Sequence, residues 1–171
     1  VAVRAASEHP RGAAPLARLR RRAVAYLRAL GREGELSLLL VTDRAIRALN
    51  RDWRRKDQAT DVLSFPLSEP PGIGPLLGDV VVSLDTAARR ARAEGRPVGE
   101  ELDRYLAHGI LHLLGYDHER PGDARVMAEK ETELLRTGGL VAAAAGEAGA
   151  RGAARPRPIA RRRPARATRG G

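Results

Sequence analysis

Cysteine is absent from this 171-residue chain. No disulfide framework is available to it, and no thiolate can serve as a metal ligand. A cysteine-free chain suits a reducing compartment. Long apolar runs are missing as well. Leu36–Val41 is among the longest, far short of the ~20 residues that a bilayer span needs. The first residues hold no apolar stretch of the secretory type. The chain is therefore expected to be soluble and cytoplasmic, with no membrane partner. Aromatic residues are scarce, and Tyr26, Trp53, Phe65, Tyr105 and Tyr116 are all of them. Recognition by stacking on aromatic faces thus has few candidates. Acidic residues are missing from one region altogether. Residues 151–171 carry eight arginines and no Asp or Glu. Those arginines leave residues 1–150 with only two of the ten net positive charges.

The basic character therefore belongs largely to the tail. Such a tail suits a polyanion, most simply nucleic acid, or it is a solvated appendage of an Arg- and Ala-rich chain. From Leu140 onward the composition narrows to little besides Ala, Gly, Pro and Arg. A segment so poor in apolar side chains cannot offset its chain entropy by burial. The reading is one domain over residues 1–140 and a disordered basic tail over 141–171.

Within the domain, Leu16, Leu19, Ala23, Leu27 and Leu30 recur at helical spacing. Leu36–Val41 reads as a buried strand, and Thr42 as the cap of a helix over 43–50. The polar residues 51–60 read as a loop. Val62–Pro66 and Gly78–Leu84 read as strands separated by a Pro/Gly loop. Asp85 caps a helix to Glu94. A helix begins near Pro97 and Gly99 and ends at Leu114–Gly115. The last helix runs from Asp123 to Arg136, with Gly138 and Gly139 as its stop. Val1 and Val3 offer only a weak edge-strand signal, and His9 beside them is given no role. The order predicts an α+β fold, a small mixed sheet backed by helices.

Chemistry concentrates in the run His108-Gly-Ile-Leu-His112-Leu-Leu-Gly115-Tyr-Asp-His118. Helical positions four apart differ by only ~40° around the axis. His108 and His112 therefore project from one face, one turn apart, and can bind one metal. Gly115 can end the helix in the left-handed conformation and bring His118 round to meet them. Three neutral imidazoles leave the fourth position of a tetrahedral zinc open, which is the pattern of a catalytic rather than a structural site. The expected cofactor is one zinc ion. The spacing is that of a zincin-like metal helix, matching metzincin proteases. Those carry Glu after the first His as general base, where this chain has Gly109. Peptide hydrolysis loses its proton acceptor, so a base must come from elsewhere or from the metal's own activated water.

The run HGILHLLGYDH, with Thr60-Asp-Val-Leu-Ser-Phe-Pro66 and Gly78-Asp-Val80 before it, closely resembles the YbeY family of bacterial endoribonucleases, or rRNA maturation factors. Leu49-Asn-Arg-Asp-Trp-Arg54 also fits the family pattern, with Trp53 where Tyr is more usual. The resemblance covers about residues 35–138, and three blocks occur in the right order. The Arg-rich tail is not part of it. The resemblance implies a zinc-dependent endonuclease specific for single-stranded RNA. Its expected work is ribosomal RNA maturation, at the 3′ end of 16S rRNA, and ribosome quality control. Expected partners are single-stranded RNA, ribosomal RNA and the small ribosomal subunit. The implied metal ligands are His108, His112 and His118, and the implied catalytic cation is Arg54. A guanidinium clamps a phosphate with two parallel hydrogen bonds, as lysine cannot. Without the resemblance, Arg54 beside Arg55 and Lys56 would read as a solvated loop charge. Asp117 can orient an imidazole or cap the turn, and Asp61 and Ser64 fit packing as well as catalysis. Only Trp53 and Tyr116 lie in motif loops where a base could stack, so binding should rest mainly on charge. Two other classes fit the same residues: a non-catalytic ribosome assembly factor with a structural zinc, and a metal hydrolase of another substrate.

Overall fold

The structure is a computed structural model. It describes residues 1–67 and 75–150, with the backbone alone beyond residue 138. Four strands form one mixed sheet: β1 (Ala2–Ser7), β2 (Glu35–Val41), β3 (Val62–Pro66) and β4 (Leu76–Ser83). Their order is β1-β2-β4-β3. β1 and β4 both run parallel to β2, and β3 is antiparallel to β4 at the other edge. The expected mixed sheet is thus present, with one strand more than the apolar pattern predicted. β1 was hard to read because Val3 is its only large buried side chain. Its pairing is made by backbone, with Val3 opposite Leu36.

The sheet is buried on both faces, which is why β2 and β4 read as nearly continuous apolar runs. Leu36, Leu38, Leu40, Val80 and Val82 face the larger core. That core is closed by α1 (Ala13–Ala29), α3 (Leu84–Glu94) and α4 (Val98–Leu113), with α5 (Pro121–Ala150) packed on α1 and α4. On the opposite face, Val41, Leu63 and Val81 pack with Ile46 of α2 (Asp43–Arg54).

Capping follows the sequence in one case and departs from it in another. Thr42 accepts the amide of Ala45, as an N-cap should. For α3 the cap is Ser83, which accepts from Thr86, and not Asp85. Asp85 instead accepts the Asp43 amide and pairs with His9. His9 is therefore a buried anchor at the end of β1, with Nδ1 accepting the Arg11 amide.

Two boundaries move in ways that matter. α2 continues through residues 51–54, read above as loop, so Arg54 stands on its last turn. Only at Arg55 does the backbone turn left-handed, at φ 57°. α5 passes Gly138 and Gly139 and runs beyond the expected boundary at residue 140, to Ala150. Gly138 is a contact glycine, not a stop. A β-carbon there would lie 2.8 Å from Arg22 Nη1 and 2.9 Å from the Tyr26 ring. The Ala-rich segment after it has the highest intrinsic helix propensity. The expected Pro/Gly loop lies mostly outside the described residues, as do the arginines of residues 151–171.

Candidate metal centre

The packing of α4 against β3 and β4 sets the site. Gly109 is its point of closest approach. A β-carbon at Gly109 would lie 2.9 Å from Val80 Cγ1 and 3.0 Å from Val62 Cγ2. The position of the zincin general base is therefore pressed into the sheet, where no carboxylate side chain fits. Ser64 fastens the approach, its hydroxyl donating to the Gly109 carbonyl at 2.9 Å.

With Gly109 turned inward, His108 and His112 turn outward along the rim of the sheet. α4 then ends in a Schellman motif. The Tyr116 amide donates to the Leu111 carbonyl and the Gly115 amide to that of His112. Gly115 takes φ 85°, and Tyr116 packs against the main core. Asp117 Oδ1 accepts the amides of His118 and Glu119 at 2.6 and 3.3 Å. Asp117 thus caps the turn that carries His118.

The three imidazoles meet. Their ligand nitrogens all lie within 4.8 Å of one another. Nε2 of His108 and Nε2 of His112 are 3.0 Å apart. Two nitrogens on one tetrahedral zinc would be about 3.3 Å apart, from Zn–N bonds of ~2.0–2.1 Å. The donor set therefore fits a single tetrahedral ion with one position left for solvent or substrate. His108 and His112 are half-buried and His118 is exposed. Burial, and then the nearby His108 and His118, hold the His112 imidazole below its ordinary range. This favours the neutral form, which is the metal ligand.

The cluster opens into a cleft of about 630 Å³, which Arg54, Lys56 and Ser64 also line. The Ser64 carbonyl accepts Nη2 of Arg54 at 3.3 Å. One serine thus ties the metal helix to the arginine, through its hydroxyl on one side and its carbonyl on the other. Asp61, Asp117 and Glu119 also line the cleft. Tyr116 contributes to it with a ring held by the core, whereas Trp53 lies edge-on to Phe65 and is 71% exposed.

The model of the family described as "Endoribonuclease YbeY" matches residues 13–139. The chain belongs to the YbeY family. Its relatives of that name include one from Anaeromyxobacter dehalogenans, 77% identical over 143 residues, covering 83% of this chain and 74% of the relative. One from Aquifex aeolicus is 54% identical over 89 residues, covering 52% and 59%. A solution structure from Thermotoga maritima is similar with a TM-score of 0.60 and 28% identity, covering 80% of this chain and 88% of that one. For this YbeY-family chain the structure brings together all four residues singled out by sequence: His108, His112, His118 and Arg54.

Sequence reasoning missed one participant. His108 Nδ1 lies 2.5 Å from Oε1 of Glu131 on α5. A signal was present. Met127, Glu131, Leu134 and Gly138 share one helical face, and Met127, Leu134 and Gly138 are buried. An acid on such a face needs a partner.

Proposed function

We propose that this chain is a zinc-dependent endoribonuclease that cleaves single-stranded RNA in ribosomal RNA maturation and ribosome quality control. The observation that carries this reading is that three converging imidazoles and an arginine line one cleft, in a chain of the YbeY family. His108, His112 and His118 would hold the zinc ion. Zinc there would supply Lewis acidity to a phosphoryl oxygen or to the attacking group.

The chain's own groups do the remainder. Arg54 presents a planar fork to the cleft, and its bond to Ser64 leaves other donors free for phosphate oxygens. As negative charge builds on the non-bridging oxygens, that guanidinium stabilises it in place. Lys56 adds a second positive charge in the same cleft. Charge and backbone shape, with few aromatic faces, favour an extended single strand over a sequence-specific site. The proposed partners are single-stranded RNA, ribosomal RNA and the small ribosomal subunit. The arginines beyond residue 150 would add contacts to phosphate.

Stringently purified protein incubated with single-stranded RNA tests this. The wild type should cleave, lose activity to a chelator and regain it with zinc, while His112→Ala should neither bind zinc tightly nor cleave. Intact RNA after incubation with zinc-loaded wild type would overturn the reading. Ribosome binding without cleavage would replace it with a non-catalytic assembly factor.

A further inference from the structure

His108 meets Glu131, a residue 23 positions away on another helix. A carboxylate only accepts, so the proton between them belongs to His108 Nδ1. That assignment leaves the lone pair of His108 on Nε2, which faces His112 Nε2 at 3.0 Å. Imidazole alone has two tautomers, and only this one offers Nε2 to a metal at that point.

The carboxylate does not float there. Met127 and Leu134, one turn to either side of Glu131, are 2% and 1% exposed. Gly138 extends the same face into contact with Arg22 and Tyr26 of α1. The seating of α5 therefore sets the reach of Glu131. Lys130, which follows the opposite pattern, turns outward to pair with Glu133 and leaves Glu131 to the histidine.

We infer that Glu131 is a positioning residue of the metal centre. It fixes the Nδ1–H tautomer and the ring orientation of His108, and it raises that imidazole's strength as a ligand. The inference rests on the reading of the three imidazoles as a zinc site. Its consequence is that zinc affinity depends on a helix that supplies no ligand.

Zinc affinity, measured by competition with a chelator, tests it without reference to RNA. Compared are wild type, Glu131→Ala, Glu131→Gln and, as control, Glu133→Ala. Losing such a partner weakens metal binding by about 10–100-fold, which is expected for Glu131→Ala. Glu131→Gln keeps an acceptor for Nδ1–H and should lose clearly less, and Glu133→Ala should match wild type. Nitrogen NMR of the zinc-free protein should find His108 protonated on Nδ1 in wild type and Glu131→Gln, and mixed in Glu131→Ala. Wild-type affinity in Glu131→Ala would overturn the inference. So would equal losses in the Ala and Gln variants, which would assign the effect to charge alone. A wild type that binds no zinc would instead remove the metal reading beneath it.

Discussion

Arg54 and Gly109 act at the scale of single side chains, and each makes a prediction. Arg54 lines the same cleft as the imidazoles and is tied to Ser64 by one long hydrogen bond. Arg54→Lys keeps the charge and loses the fork. RNA cleavage should fall at least ~10-fold, equivalent to about 1.4 kcal/mol of transition-state stabilisation. Zinc content and the unfolding midpoint should not move, so steady-state kinetics and elemental analysis together check the assignment. Gly109 is constrained by volume rather than charge. The side chains that a β-carbon would strike are Val80 and Val62, whose branched χ1 has little freedom in a strand. Gly109→Ala must push α4 off the sheet. Urea denaturation should show a loss of about 1–3 kcal/mol, the usual range for overpacking. Zinc affinity should drop too, since His108 moves with the helix.

At the scale of elements, charge joins α1 to α4 beside their shared apolar core. Asp103 on α4 accepts Arg18 Nε and Nη2 at 3.1 and 2.6 Å and Arg22 Nε at 3.1 Å, all from α1. Arg22 and Asp103 are 8% and 5% exposed. Removing the acid strands a buried guanidinium. Asp103→Ala should cost about 3–5 kcal/mol, the range for breaking one side of a buried pair. Arg22→Met combined with Asp103→Leu removes both charges and should recover much of that loss, as denaturant titration of the single and double variants will read. The same region seats α5 through Gly138. Loosening of α1 against α4 should therefore also reach Glu131 and His108.

At the scale of the whole molecule, a polar knot joins the end of β1 to α2 and α3. Asp43 accepts the hydroxyls of Ser83 and Thr86, both at 2.6 Å, and Arg89 at 2.8 Å. Burial opposes its ionisation, but those hydrogen bonds outweigh it and hold Asp43 below the ordinary carboxylate range. Asp85 is held low as well, by the Asp43 amide first and then, against burial, by His9. A carboxylate lowered on folding contributes stability above its unfolded value, and that stability is lost as pH falls through the folded value. The ordinary value is 3.8 for both. The melting temperature of the metal-free protein should thus decline most steeply below about pH 4. Asp43→Asn should start lower and decline less. Parallel acid profiles for the variant and wild type would remove the knot from the account.

The sequence by itself determined most of the elements and the grouping of the three histidines, because both are governed by local spacing. Helical period placed Leu19, Ala23 and Leu27 on one face of α1, and the i, i+4 histidines on one face of α4. Gly115 specified the turn that returns His118, since a left-handed residue is needed there. The relatives and the family match confirm the fold and family that these motifs suggested. Boundaries were legible only where a local rule was decisive. Gly138 failed as a stop because a helix ladder tolerates glycine when close packing repays it, and residues 51–54 stayed helical although polar. What tertiary structure alone decided are the meetings between distant segments. The edge strand β1 is specified by backbone pairing with β2, to which its side chains contribute little. Gly109 could be seen to lack a base, but only the sheet beneath it shows that none would fit. Ser64 has two partners because β3 passes between α2 and α4. Glu131 was visible as an acid on an apolar face, yet its partner lies on another helix. Periodicity names the face a residue occupies, and only the packing of the helices decides what that face meets.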